Sequence, residues 1–286
     1  MTALPTISFE IFPPKTPQGD QAMDSMFEQL GSLRPAFWSV TYGADGSGQD
    51  RTLRLVERLI ARDMPIAAHL TCVGATRDEV DALTRTWRDM GVGRIVALRG
   101  DMPGGGKWQP HDGGYQRASE LVAALRQVAD FDIAVAAYPE AHPDSPSPQA
   151  DIDNLKAKQD AGAGTAITQY CFDTEAILRF RDRAVAAGIT IPIIPGIMPI
   201  VNFASIVNFS ARCGAAIPDW LAGQFEGLEG DPETAAMVAA SVASEQCRTL
   251  IHEGFDSFHF YTLNKAPLSY AVCRYLGINP SIAEAA

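Results

Sequence analysis

Residues 66 to 101 read IAAHLTCVGATRDEVDALTRTWRDMGVGRIVALRGD, and the fold follows from them. The stretch opens on a short apolar run, Ile66 to Thr71, of strand length. Thr76 and Glu79 then form a TxxE capping box, in which the two side chains satisfy each other's backbone amides at a helix start. Val80, Leu83, Trp87 and Met90 follow on one face of that helix. Gly91 stands where a left-handed helix end is easiest, and a second apolar run, Arg94 to Arg99, begins at once. Strand, helix, strand is the βαβ unit, the building block of parallel sheet.

The same alternation extends in both directions. Further apolar runs occur at Ile7 to Phe12, Phe37 to Tyr42, Asp132 to Tyr138, Ala166 to Cys171, Ile191 to Ile197 and Phe258 to Leu263, which makes eight with the first two. Most are apolar on both faces, as strands are when helices cover them outside and side chains fill the space within. Gly162, Gly188 and Gly254 repeat the role of Gly91, and a helix starts at Asp231 and Pro232. The connection from Asn202 to Gly254 is long enough for extra helices before the last strand, with Pro218, Gly227 and Gly230 as breaks. With no interdomain linker visible, residues 1–286 read as a single (β/α)8 TIM-barrel catalytic domain.

Composition excludes several classes. A net charge of −11 argues against nucleic acid, which needs clustered Lys and Arg, and leaves any anionic ligand dependent on a local basic pocket. Cys72, Cys171, Cys213, Cys247 and Cys273 are scattered and odd in number, so they read as buried thiols rather than a disulfide framework or zinc ribbon. No leader pattern and no membrane-spanning apolar stretch is present, which makes the cytoplasm the expected compartment. GGGKW lacks the spacing of a P-loop, and no GxGxxG follows a strand.

In a parallel barrel, chemistry sits where strands end and βα loops begin. The polar residues there are Glu10, Thr41, His69, Arg99, Asp101, Tyr138, Glu140, His142, Gln169, Asn264 and Lys265, and they form no metal constellation. Glu10 lies between Phe9, Ile11 and Phe12, where an ionised carboxylate loses water and its pKa is pushed up, as suits a general acid. Pro13 and Pro14 stop the strand immediately, favouring the mouth over a solvent-facing edge. Arg99 and Asp101 either pair with each other or meet a ligand at a partly dry mouth, to which Gly100 permits close backbone approach. His69 is either a satisfied core group or a ligand contact, and the HxxC spacing sends Cys72 to the opposite strand face. Asp151, Asn154 and Lys158 fall on one face of a helix whose first turn opens at the mouth, where they are either solvated or able to hold phosphate. Gln169 is either a core amide or a reader of a heterocycle edge.

The strings SFEIFPPK, SVTYGA, AHLTC, IVALRGD, VAAYPEAHP, AITQYCFD, IIPGIMP and FHFYTLNK, in this order along nearly the whole chain, resemble the bacterial methylenetetrahydrofolate reductases. The resemblance implies a barrel that holds FAD noncovalently, with hydride passing from NADH or NADPH to the flavin and then to the folate. It implies that Glu10 is the proton donor that opens 5,10-methylenetetrahydrofolate at N10. By the same resemblance Asp101 is a charge near both flavin and pterin, and Gln169 a pterin contact. Thr41, Tyr42, Ala44, His69, Arg99, Gly100, Tyr115, Ala137, Tyr138, His142, Asp151, Asn154 and Lys158 match positions that contact FAD. Ser205 stands where enteric relatives have a folate-touching Gln, Lys265 replaces an Arg near the substrate and loses its two-pronged fork, and Ala157 replaces a basic residue. A homo-oligomer is the family's usual state. Two other readings stand beside this one: a flavin-free barrel lyase or aldolase using Glu10 and Asp101 as acid and base, and a noncatalytic folate- or flavin-binding subunit.

Overall fold

The computed structural model describes residues 4–42, 46–102, 106 and 108–281. In chain order the elements are β1 (Thr6–Ile11), α1 (Pro17–Gly31), β2 (Trp38–Val40), α2 (Gly46–Ile60), β3 (Ile66–Thr71), α3 (Arg77–Asp89), β4 (Arg94–Leu98) and α4 (Ala118–Val128). They continue as β5 (Asp132–Ala137), α5 (Pro148–Asp160), β6 (Thr165–Thr168), α6 (Thr174–Ala186), β7 (Ile193–Ile194), β8 (Gly196–Ile197), α7 (Phe203–Cys213), α8 (Asp219–Phe225), α9 (Pro232–His252), β9 (Ser257–Tyr261) and α10 (Ala266–Tyr275).

Local chemistry explains the boundaries. Thr76 and Glu79 form the expected capping box at α3, the Thr76 amide donating to Glu79 Oε2 at 2.8 Å and the Glu79 amide to Thr76 Oγ1 at 3.3 Å. Asp231 caps α9, with Pro232 in its first turn. Gly91, Gly162, Gly188 and Gly254 all adopt the positive φ expected at the ends of their helices. The long connection before the last strand carries three helices, α7, α8 and α9.

All strand pairs are parallel, in the order β7-β6-β5-β4-β3-β2-β1-β9-β8. The expected seventh strand is two short pieces, because Pro195 has no N–H to give the ladder. β7 pairs with β6 and β8 with β9, and the Pro195 carbonyl accepts the His259 amide at 3.0 Å, so the ring closes through that proline. Counting the broken strand once gives the (β/α)8 barrel.

Inside the ring, Phe37, Ala67, Val96, Ala134 and Ile167 fill the lower interior. Below them Arg94 lies over the Phe37 ring at 4.4 Å and pairs with Asp132 at 2.6 Å. The opposite strand faces pack against the helices: Trp38 meets Phe9 at 5.2 Å and Phe27 of α1 edge-on at 5.1 Å. Each such side chain contributes about 1.5–3 kcal/mol by leaving water. Above this filled layer, toward the C-terminal ends of the strands, the interior opens.

Candidate active site

That space is a cavity of about 990 Å³ at the barrel mouth. β1 delivers Glu10 to it. Its neighbours Phe9 and Ile11 alternate onto the opposite face and are fully buried in the helix-facing core. The Glu10 side chain is 23% exposed, yet desolvation by the surrounding walls raises its pKa to about 8, which keeps it a neutral acid at pH 7. Its strand is pinned from the far end of the chain, where Thr262 Oγ1 donates to the Glu10 carbonyl at 2.7 Å. Thr41 and Tyr42, just beyond β2, also line the cavity, and burial raises the Tyr42 phenol to about 12.

His69 faces the cavity from β3, while Cys72 turns into the helix-facing core, as the alternation requires. Burial lowers the imidazole to about 3, so His69 is neutral. Its Nε2 lies 3.7 Å from Glu10 Oε2, too far for a hydrogen bond.

Arg99 does not take Asp101 as its main partner. Its Nη2 bonds Asp144 Oδ2 at 2.7 Å, while Asp101 Oδ1 is 3.9 Å away. The guanidinium also lies over Trp108 at 4.8 Å. Asp101 lines the cavity, but its side chain is 95% exposed. The expectation of a partly dry site for it is corrected: its carboxylate stands at the rim, in water. Between the two, Gly100 has φ 83°, and a Cβ there would come within 2.5 Å of Val73 Cγ1, so β3 and the end of β4 approach closely.

Tyr138 and His142 line the cavity after β5, their rings edge to face at 4.7 Å. Burial raises the Tyr138 phenol, and burial followed by the charge of Arg99 lowers His142. The His142 amide donates to Asp151 Oδ2 at 3.1 Å, tying the proline-rich loop to the first turn of α5, which Ser147 caps. Lys158 lies behind β5 with Nζ on the Ala136 carbonyl at 2.8 Å, and burial lowers it to about 8 against the opposing pull of Asp151. Asp151, Asn154 and Lys158 share a side of α5 but not its burial. Asp151 and Lys158 are buried and Asn154 is exposed, because the i, i+3, i+7 positions straddle the edge of the face packed on the sheet. Gln169 lines the cavity and accepts the Tyr170 amide at 3.0 Å through Oε1.

Other expected residues lie away from the cavity wall. Tyr115 turns to α3, donating to Asp81 Oδ1 at 2.7 Å under the Arg77 guanidinium. Ala137 faces the helices, and its neighbour Ala136 takes the wall position. Ser205 is exposed in the first turn of α7, and Lys265 is exposed at the cap of α10. Ala44 lies outside the described residues, as do 103–105 and 107 of the glycine-rich loop.

Several wall residues escaped the sequence reading. Asp144, Trp108, Phe209, Arg212 and Cys213 arrive through loops and α7, where no periodicity marks a facing direction. His259 and Tyr261 of β9 carried a usable signal, since FHFY alternates and buries Phe258 and Phe260 toward the helices. His259 is a satisfied interior histidine, with Ser8 Oγ 2.7 Å from Nδ1 and Ser39 Oγ 3.2 Å from Nε2. The Tyr261 hydroxyl donates to the Thr168 carbonyl at 2.8 Å. Gly196 makes room for it, since a Cβ there would lie 2.3 Å from that carbonyl oxygen and 2.5 Å from the tyrosine ring.

This arrangement can offer a proton from a partly buried acid to a ligand in a cavity whose wall also carries neutral His69, Tyr138 and Gln169. A family model described as methylenetetrahydrofolate reductase matches residues 2–277. The 5,10-methylenetetrahydrofolate reductase of Salmonella typhimurium is 48% identical over 278 residues, covering 96% of this chain and 92% of that protein, and the Escherichia coli enzyme is equally similar. Among solved structures, an uncharacterized protein from Clostridium thermocellum that binds two copies of 5-methyl-5,6,7,8-tetrahydrofolic acid shares the fold at a TM-score of 0.66 and 17% identity, over 96% of this chain and 95% of that one. The chain belongs to the methylenetetrahydrofolate reductase family.

Proposed function

We propose that the protein interconverts 5,10-methylenetetrahydrofolate and 5-methyltetrahydrofolate with NADH or NADPH, through noncovalently bound FAD, the nicotinamide and the folate reacting in turn. The observation that carries this reading is Glu10, a carboxylic acid kept protonated at neutral pH at the wall of a large cavity. Ligand binding alone needs no such acid, which weighs against a noncatalytic subunit.

The residues present fit the cofactor. His69 Nε2 is buried at the cavity with no partner, and Gly100 lines the same cavity. Thr41, Tyr42, His69, Arg99, Gly100 and Tyr138 would hold the ring end of FAD. In a chain of net charge −11, Lys158 on α5, with Asp151 and Asn154 on the same helix, would supply positive charge toward its diphosphate. FAD supplies the hydride carrier between nicotinamide and folate.

Glu10 donates its proton to N10 of the folate, opening the five-membered ring and leaving an iminium at N5. Gln169 hydrogen-bonds the pterin. Asp101 places a negative charge at the rim, and a bound ligand that covers it removes the water now screening it, so its attraction for the cation strengthens. Optical spectra of the purified protein, with anaerobic addition of each nicotinamide and then the folate, test the scheme. Yellow protein bleached by a nicotinamide and recoloured by methylenetetrahydrofolate supports it; protein that stays colourless with FAD returns the flavin-free lyase reading.

A further inference from the structure

His69 and Thr71 stand two residues apart on β3 and therefore face the same way, into the cavity. They are 6% and 8% exposed. His69 Nε2 and Thr71 Oγ1 are both buried without a hydrogen-bond partner. Folded proteins keep few such atoms, because each has given up water and received nothing in return.

The other buried threonines make the contrast. Thr84 Oγ1 donates to Val80 O, Thr168 Oγ1 accepts the Gly196 amide, Thr262 Oγ1 donates to Glu10 O, and Thr52 Oγ1 donates to Thr41 O. Thr71 alone among the described buried threonines has no partner. Trp87 Nε1 is also unpaired, but it lies in the helix-facing core and does not line the cavity at the barrel mouth. Close packing of Gly100 on Thr71, with a Cβ at 100 falling 3.0 Å from Thr71 Cβ, holds the threonine side chain in place without supplying a bond.

We propose that Thr71 is a cofactor-binding residue whose hydroxyl hydrogen-bonds the polar edge of the isoalloxazine, beside a second bond from His69 Nε2. The inference rests on the FAD reading above. A hydroxyl both donates and accepts, and a neutral imidazole does one or the other at each nitrogen, so the pair matches a heterocycle edge of mixed donors and acceptors without placing a charge beside it. Nothing in the resemblance assigns this position.

The test is Thr71→Val, which keeps the shape and removes the hydroxyl, with Thr71→Ser as the variant that restores it. Each is titrated with FAD, and the apoprotein is melted. The proposal expects the valine variant to bind FAD about tenfold more weakly, with a shifted flavin spectrum. Its apoprotein melts no lower than wild type, since an unpaired buried hydroxyl has gone, and serine brings affinity back toward wild type. A hydroxyl serving only the fold predicts the reverse: a lower melting temperature and unchanged affinity. That result, or equal affinity and spectrum in all three proteins, overturns the proposal. Should the valine variant not fold, Thr71→Ala gives the same comparison of affinity. Wild-type protein that takes up no FAD overturns the proposed function instead, a separate outcome.

Discussion

Glu10 Oε2 and His69 Nε2 face one another at 3.7 Å across the cavity, and neither carries a charge at neutral pH. Burial moves the acid up and the base down, so what looks like an ion pair is two neutral groups. Between the two, desolvation favours the proton on the carboxyl, which lines the cavity.

Glu10→Gln keeps the shape and the neutrality of the protonated acid but cannot give up a proton. The variant is expected to bind FAD and to be reduced by the nicotinamide at the wild-type rate. Folate reduction falls by about 10²–10⁴-fold, the usual contribution of a positioned acid. Stopped-flow measurement of the two half-reactions separates these, and folate turnover at the wild-type rate removes Glu10 from the mechanism.

The pH dependence has a definite sign. With its pKa near 8, Glu10 is competent below that value, so the folate half-reaction is expected to be flat there and to fall as pH rises beyond it. The same shift acts on stability: the folded state holds the proton more tightly than the unfolded chain, so stability is lost as pH rises from about 4.5 toward 8. Glu10→Gln escapes this loss, and its melting temperature is expected to exceed that of wild type by more at pH 8 than at pH 4.5. A gap that widens toward acid contradicts the assignment.

His69 and His259 act in the opposite window. Both are lowered to about 3 by burial, so unfolding gains protons as pH falls below 6.5 and stability drops toward acid. Replacing His259 by Asn is expected to flatten that acid limb while lowering stability at pH 7, because the bonds to Ser8 and Ser39 are disturbed. Denaturant midpoints between pH 4 and pH 7 check it; an acid limb as steep as wild type contradicts it.

Gly196→Ala is expected to be severe. Its Cβ would meet the Thr168 carbonyl oxygen at 2.3 Å, and that backbone is held in register by β6 pairing with β5. A loss of about 3 kcal/mol or more is expected, at the upper end of overpacking costs. A denaturant midpoint within error of wild type would show that the ring yields more easily than its packing implies.

Much of the barrel was legible because its strands are apolar on both faces and its helices carry capping chemistry within four residues, as at Thr76 and Glu79. Glu10, His69, Arg99 and Gln169 could be placed at the mouth because strand ends are local features. What escaped depends on distant partners. The bond of Arg99 to Asp144 spans 45 positions of sequence, and neither residue alone announces it. The break at Pro195 was readable, since a proline cannot donate, yet the apolar run around it masked the interruption. Asp101 carried no sign of its exposure, which depends on how far the loop swings from the sheet.

Glu10 pairs in register with Tyr261 of β9, and the Thr262 hydroxyl grips its carbonyl from 252 positions away. A growing polypeptide therefore carries Glu10 from the first strand onward but cannot give it these neighbours until the ninth has emerged from the ribosome and docked. The setting of Glu10 is completed by the same seam that completes the ring, and no shorter nascent fragment contains it.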